Sequence, residues 1–64
     1  MDGEKLRELR EAKGLTRKQV EYDTGVSREA IANIEYGRTR NPSISTVAKL
    51  AEFFGVPVES LLSD

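Results

Sequence analysis

Ser27, Arg28, Glu29, Ala32 and Asn33 carry the residue types that can read a hydrogen-bonding surface, inside the stretch TRKQVEYDTGVSREAIANIEY (Thr16–Tyr36). An arginine can donate twice to guanine, an asparagine can pair with adenine, and a glutamate can accept from the cytosine amino group. Their spacing puts them on one side of a helix, where residues three and four apart are neighbours. Ala32 is small enough to sit in a groove or to touch a thymine methyl. Each residue also has a plainer reading. Arg28 can be a solvated cation or lie on a phosphate. Glu29 suits the positive end of a helix dipole. Asn33 can be an exposed helix-interior polar residue, although asparagine is a poor helix former, so its presence there calls for a reason.

The elements that must hold this face are legible on either side of it. Thr16 is an N-cap, with Gln19 three residues on to close a capping box, and opens a helix over about Arg17 to Thr24. Gly25 supplies the positive φ that stops it. Ser27 caps a second helix over about Arg28 to Tyr36, and Gly37 ends it. Val20, Val26, Ile31 and Ile34 turn one side of both helices to a shared core. Upstream, Asp2 caps a helix over about Gly3 to Lys13, with Leu6 and Leu9 inward and Leu15 beyond it as a core anchor. Downstream, Ser43 follows Pro42 and caps a helix whose Ile44, Val47, Leu50, Ala51 and Phe54 repeat about every 3.6 residues. Gly55 ends that helix, and Pro57 starts a short fifth one with Val58, Leu61 and Leu62. No segment alternates as a strand does, so the expected class is all-α, with a helix-turn-helix at the second and third of five helices.

Composition narrows the function. Sixty-four residues point to a single domain over 1–64 with no room for a sensor domain. The chain has no cysteine and no histidine, which removes disulfides, the usual zinc sites, and thiol or imidazole catalysis. The expectation is no enzyme, no cofactor and no metal. Carboxylates such as Glu8 and Glu11 fall on a solvated amphipathic helix. No apolar run is long enough to span a bilayer, and charge from Asp2 onward reads against a secretory leader, so a cytoplasmic protein without membrane contact is expected. The net charge of −1 looks unfriendly to nucleic acid, but distribution matters more than the sum. Residues 1–40 hold every basic side chain but Lys49, whereas residues 41–64 set Lys49 against Glu52, Glu59 and Asp64.

Three segments in register, LRELREAKGLT (Leu6–Thr16), TGVSREAIANIE (Thr24–Glu35) and NPSISTVAKLAEFFGVPVESLL (Asn41–Leu62), resemble the lambda-repressor-like helix-turn-helix family, also called the xenobiotic-response-element family. The resemblance covers essentially the whole chain. It implies a compact five-helix DNA-binding fold and maps base reading onto Ser27, Arg28, Glu29, Ala32 and Asn33. It also implies an internal ion pair between Arg10 and Glu35, joining the first helix to the third; the alternative is two unrelated surface charges. Three positions depart from the pattern. Glu21 stands where a small residue is usual because two helices approach closely, Thr24 where an aliphatic is usual, and Asp2 where an apolar residue is common. Glu21 can tilt toward solvent and Thr24 can bond a carbonyl of its own helix, with looser packing between the two helices as the expected result.

Phosphate contacts are expected from Arg17 and Lys18 at the start of the second helix, where free N–H groups also favour anions, and from the loop Arg38, Thr39, Arg40 and Asn41. Tyr36 either bonds a phosphate or lies against the fourth helix; the pattern does not separate the two. Val56, Val58, Leu61 and Leu62 cannot all face inward from one short helix, so an exposed remainder is expected to form a two-fold dimer contact. A dimer would set two reading helices about 34 Å apart and match a near-palindromic operator. The function expected is a dimeric, sequence-specific repressor that binds double-stranded DNA and acts by occupying a promoter, with a regulatory protein as a further partner. The rival is a protein-interaction module of the same fold, an antitoxin or an adaptor, which the acidic C-terminal third favours.

Overall fold

Asp2, Thr16, Ser27 and Ser43 each place a side-chain oxygen on the backbone N–H three residues ahead, at 3.0, 3.1, 3.1 and 3.2 Å. Each begins a helix in the computed structural model, which describes residues 1–62: α1 (Gly3–Ala12), α2 (Arg17–Thr24), α3 (Arg28–Glu35) and α4 (Ile44–Phe54). The fifth, α5 (Val58–Leu62), follows Pro57. Gln19 completes the capping box of α2 by accepting from the Thr16 N–H at 2.8 Å. Gly25 closes α2 with φ +79° and returns its N–H to the Glu21 carbonyl. A side chain there would cost about 1–2 kcal/mol, so the glycine fixes the α2–α3 turn.

Among the described residues there are five helices and no strand. α1 packs on α3 and α5, α2 on α3 and α4, and α4 on α5. One core results, built from Leu6, Val20, Val26, Ile31, Ile34, Val47, Leu50, Ala51, Phe54 and Leu61. Leu9, Leu15, Val56 and Val58 are half-buried against it. Thr24 donates its hydroxyl to the Val20 carbonyl at 2.7 Å and accepts from the Val26 N–H at 3.1 Å. A polar residue thereby occupies an aliphatic position with both hydrogen-bonding roles used.

Two expectations are corrected. Ile44 shares the phase of the α4 stripe yet is 69% exposed. It is the first residue of α4, and helical Cα–Cβ bonds tilt toward the N-terminus, so its side chain points off the end of the helix and past the core. Leu61, placed with the dimer surface on pattern, has no exposed area at all. α5 packs on both α1 and α4, and the Leu61 carbonyl accepts from the Asp2 N–H at 2.8 Å, which draws this residue under the N-terminus. Leu62, one position on, is 47% exposed.

Gly3 shows a constraint that periodicity does not reveal. A Cβ built on it would overlap the Ile34 carbonyl oxygen, with Glu35 Cα close behind. The start of α1 therefore rests backbone to backbone on the end of α3, the helix to which the sequence assigns the candidate base-reading residues.

Candidate nucleic-acid interface

Glu35, the last residue of α3, anchors that helix. Its carboxylate is fully enclosed although its backbone is partly open. Arg10 on α1 forks onto it, Nε to Oε2 at 2.7 Å and Nη2 to Oε1 at 3.0 Å, and sends Nη1 to the Leu15 carbonyl at 2.8 Å. Arg17 on α2 donates a further bond, Nε to Oε1 at 3.0 Å. The structure thus brings Arg10 and Glu35 together and adds a second arginine that the sequence pattern assigns to phosphate. One carboxylate ties α1, α2 and the end of α3 together.

Around the same point Tyr36 gathers cations. It is 56% exposed and not packed away beneath α4. Arg17 Nη2 donates to its hydroxyl at 3.2 Å, and the Arg17 and Arg38 guanidinium carbons lie 5.0 and 5.3 Å from its ring centroid. The Tyr36 hydroxyl accepts from Arg17, so its own proton is available to an acceptor outside. Burial works against the charged form of Arg17, but the hydrogen bonds to Tyr36 and Glu35 and their charges outweigh it, and the pKa is raised.

At the opposite end of α3, Ser27, Arg28 and Glu29 are exposed, while Ala32 and Asn33 are half-buried. The Ser27 hydroxyl is taken up in capping, accepting from the Ala30 N–H. Arg28 Nε donates to Glu21 Oε1 on α2 at 2.8 Å. Asn33 is partly covered because the following loop folds back on it: its carbonyl accepts from the N–H groups of Arg38 and Thr39 at 2.8 and 3.2 Å. Lys18, Arg38, Arg40 and Asn41 are exposed, and Thr39 is half-buried. Val56 and Val58 are half-buried, and Leu62 is exposed. Three features escape the sequence pattern: the Gly3 contact, the Arg17 share in Glu35, and the Glu21 bond to Arg28. Only the last left a local signal, a carboxylate where helices meet closely.

Two short helices at a glycine turn, the second held by its end and presenting its start, define a helix-turn-helix domain. The chain belongs to that family: the family model described as a helix-turn-helix domain matches residues 3–64. Curated relatives agree. The chain is 39% identical over 64 residues to a transcriptional repressor, RstR, of a cryptic CTXphi phage of Vibrio cholerae, covering 100% of this chain and 57% of that protein. It is 43% identical over 60 residues to the HTH-type transcriptional repressor RghR of Bacillus subtilis, covering 94% and 44%. It is 41% identical over 61 residues to an HTH-type transcriptional regulator of the same bacterium, RghRB, covering 95% and 44%. The chain therefore spans about half the length of these relatives. No solved structure matches the chain significantly.

Proposed function

We propose that this domain binds double-stranded DNA in a sequence-specific way and regulates transcription, with the start of α3 in the major groove. The observation that carries the reading is the two-ended arrangement of α3. Exposed Ser27, Arg28 and Glu29 stand at one end, and the Arg17–Tyr36–Arg38 cluster stands at the other. Eight residues of helix rise about 12 Å, close to the width of a major groove. With base-reading groups at the start of α3, cations at its end fall where a phosphate strand borders the groove. Lys18, Arg38, Thr39, Arg40 and Asn41 then position the domain, and Arg28, Glu29, Ala32 and Asn33 read bases. Ser27 helps by fixing the first turn.

The working unit we propose is a homodimer acting as a repressor by occupancy in the cytoplasm. The body measures at most 24 Å along any principal axis, so one copy reaches a single groove face. Two faces about 34 Å apart take two copies. Leu62, with Val56 and Val58, is the proposed contact. No described helix is long and apolar enough to cross a membrane. The seat proposed for a regulatory protein is Tyr22, which is 90% exposed on a hollow it lines with Leu15, Lys18, Gln19 and Asp23.

The test is selection of bound sequences from a random duplex pool, followed by anisotropy titrations at several salt concentrations. A recurring motif and a steep fall of affinity with salt are expected. The double variant Arg28→Ala, Asn33→Ala should keep the fold and lose the motif. A salt-insensitive or absent interaction with every duplex would remove the DNA reading and leave a protein-interaction module.

A further inference from the structure

Glu21 stands at the contact of two helices, and the structure gives it a use. Its Oε1 accepts from Arg28 Nε at 2.8 Å, linking α2 to the first turn of α3. The two side chains are 33% and 57% exposed, and a pair this open adds little to stability. Its consequence is orientation. A guanidinium is a planar fork of five N–H donors. With Nε held by Glu21, the terminal nitrogens Nη1 and Nη2 are left as a pair of donors at the far end of that plane. Guanine offers O6 and N7 to such a pair in the major groove.

The geometry points to Glu21 as a positioning residue for guanine recognition by Arg28, an inference that rests on the proposed groove reading. Charge adds a second part. An unpaired carboxylate facing a phosphate-lined groove repels it, whereas the bonded pair enters nearly neutral. Arg28 therefore both reads a base and masks Glu21. Exclusion of water on docking strengthens the bond between them, because the local dielectric falls.

Selection from a random duplex pool, with anisotropy at fixed salt, tests this using wild type, E21A, E21Q, R28A and the double variant R28A/E21A. Alanine is a residue such close helix pairs readily accommodate, so E21A keeps the fold, which circular dichroism checks. The wild-type motif should contain a guanine column that R28A abolishes. E21A should keep the column with discrimination lowered about three- to tenfold, while affinity for unrelated duplex holds or rises. E21Q retains an oxygen acceptor for Nε and should recover most of the preference. R28A should weaken binding to every sequence, and R28A/E21A should regain that general affinity without the guanine column. An Arg28-dependent column that E21A leaves unchanged overturns the role of Glu21 alone. A wild-type motif with no Arg28-dependent column overturns it together with base reading by Arg28.

Discussion

Replacing Glu35 by glutamine tests whether one enclosed carboxylate sets the pose of α3. The change keeps shape and removes charge. Glu35 accepts three charge-assisted hydrogen bonds, two from Arg10 and one from Arg17. The Arg10 side chain is 11% exposed, so in Glu35→Gln a nearly enclosed cation loses its counter-charge. Removing one partner of a buried pair typically costs about 3–5 kcal/mol. The amide oxygen still accepts one bond, and Arg17 is 29% exposed and can turn to water, so about 2–4 kcal/mol is expected here. A domain of this length holds about 3–10 kcal/mol in total. The urea midpoint, followed by circular dichroism, should therefore fall by at least about 1 M with an unchanged slope. Arg17→Ala should cost no more than about 1 kcal/mol, because its pair is more open. The pair Arg10→Met with Glu35→Leu should regain much of the loss, since it buries no charge. A glutamine variant within about 0.5 kcal/mol of wild type would refute the reasoning, since surface changes of no consequence fall in that range. So would an Arg17→Ala variant as unstable as Arg10→Ala.

Gly3→Ala should destabilise the domain by about 1–3 kcal/mol, because the added methyl meets the Ile34 carbonyl and α1 must shift off α3; thermal melts of the two proteins check it. Leu62→Glu should give a folded monomer, whereas Leu61→Glu should fail to fold because that side chain is wholly enclosed; light scattering with circular dichroism separates the two outcomes. Arg38→Ala and Arg40→Ala should each lower the slope of log affinity against log salt by about 0.9 per subunit and weaken all sequences alike, read by anisotropy across a salt series.

Helix starts and stops are legible in the sequence because their causes are local. A serine or threonine and the N–H three residues ahead are neighbours whatever the rest of the chain does, and the glycine turn at Gly25 needs only its own φ. What fails is whatever depends on the position of one helix against another. Ile44 has the right phase, but phase does not say where the core ends. Leu61 and Leu62 are adjacent leucines in a five-residue helix, and only the α1 and α4 contacts decide which is covered. Gly3 reads as an ordinary first-turn residue until α3 is laid against it. Arg10 and Glu35 lie 25 residues apart, beyond any local rule, and resemblance alone links them in the sequence. Arg17 reads as a free cation because nothing nearby hints that Glu35 accepts from two arginines.

The pairing pattern also bears on how a chain of net charge −1 could serve the proposed DNA reading. Two acidic groups packed around α3 are paired, whereas Glu29 in its first turn is exposed and in no ion pair among the described residues. Glu35 is enclosed between Arg10 and Arg17, and Glu21 is bonded to Arg28. Each neutralises a cation but also fixes it, so on the proposed reading Arg28 would arrive at DNA already oriented. Lys18, Arg38 and Arg40 remain exposed, as the proposed phosphate contacts require. Asp23 and Glu52 line, with Lys49, a hollow between α2 and α4. Net charge sets the long-range interaction with a polyanion, which at −1 is weakly repulsive. Attraction at contact is set by the few groups within about a Debye length, ~8 Å at physiological salt. On the proposed DNA reading, discrimination by such a domain would rest on short-range contacts, with Arg28 held by Glu21 at the start of α3, more than on bulk charge.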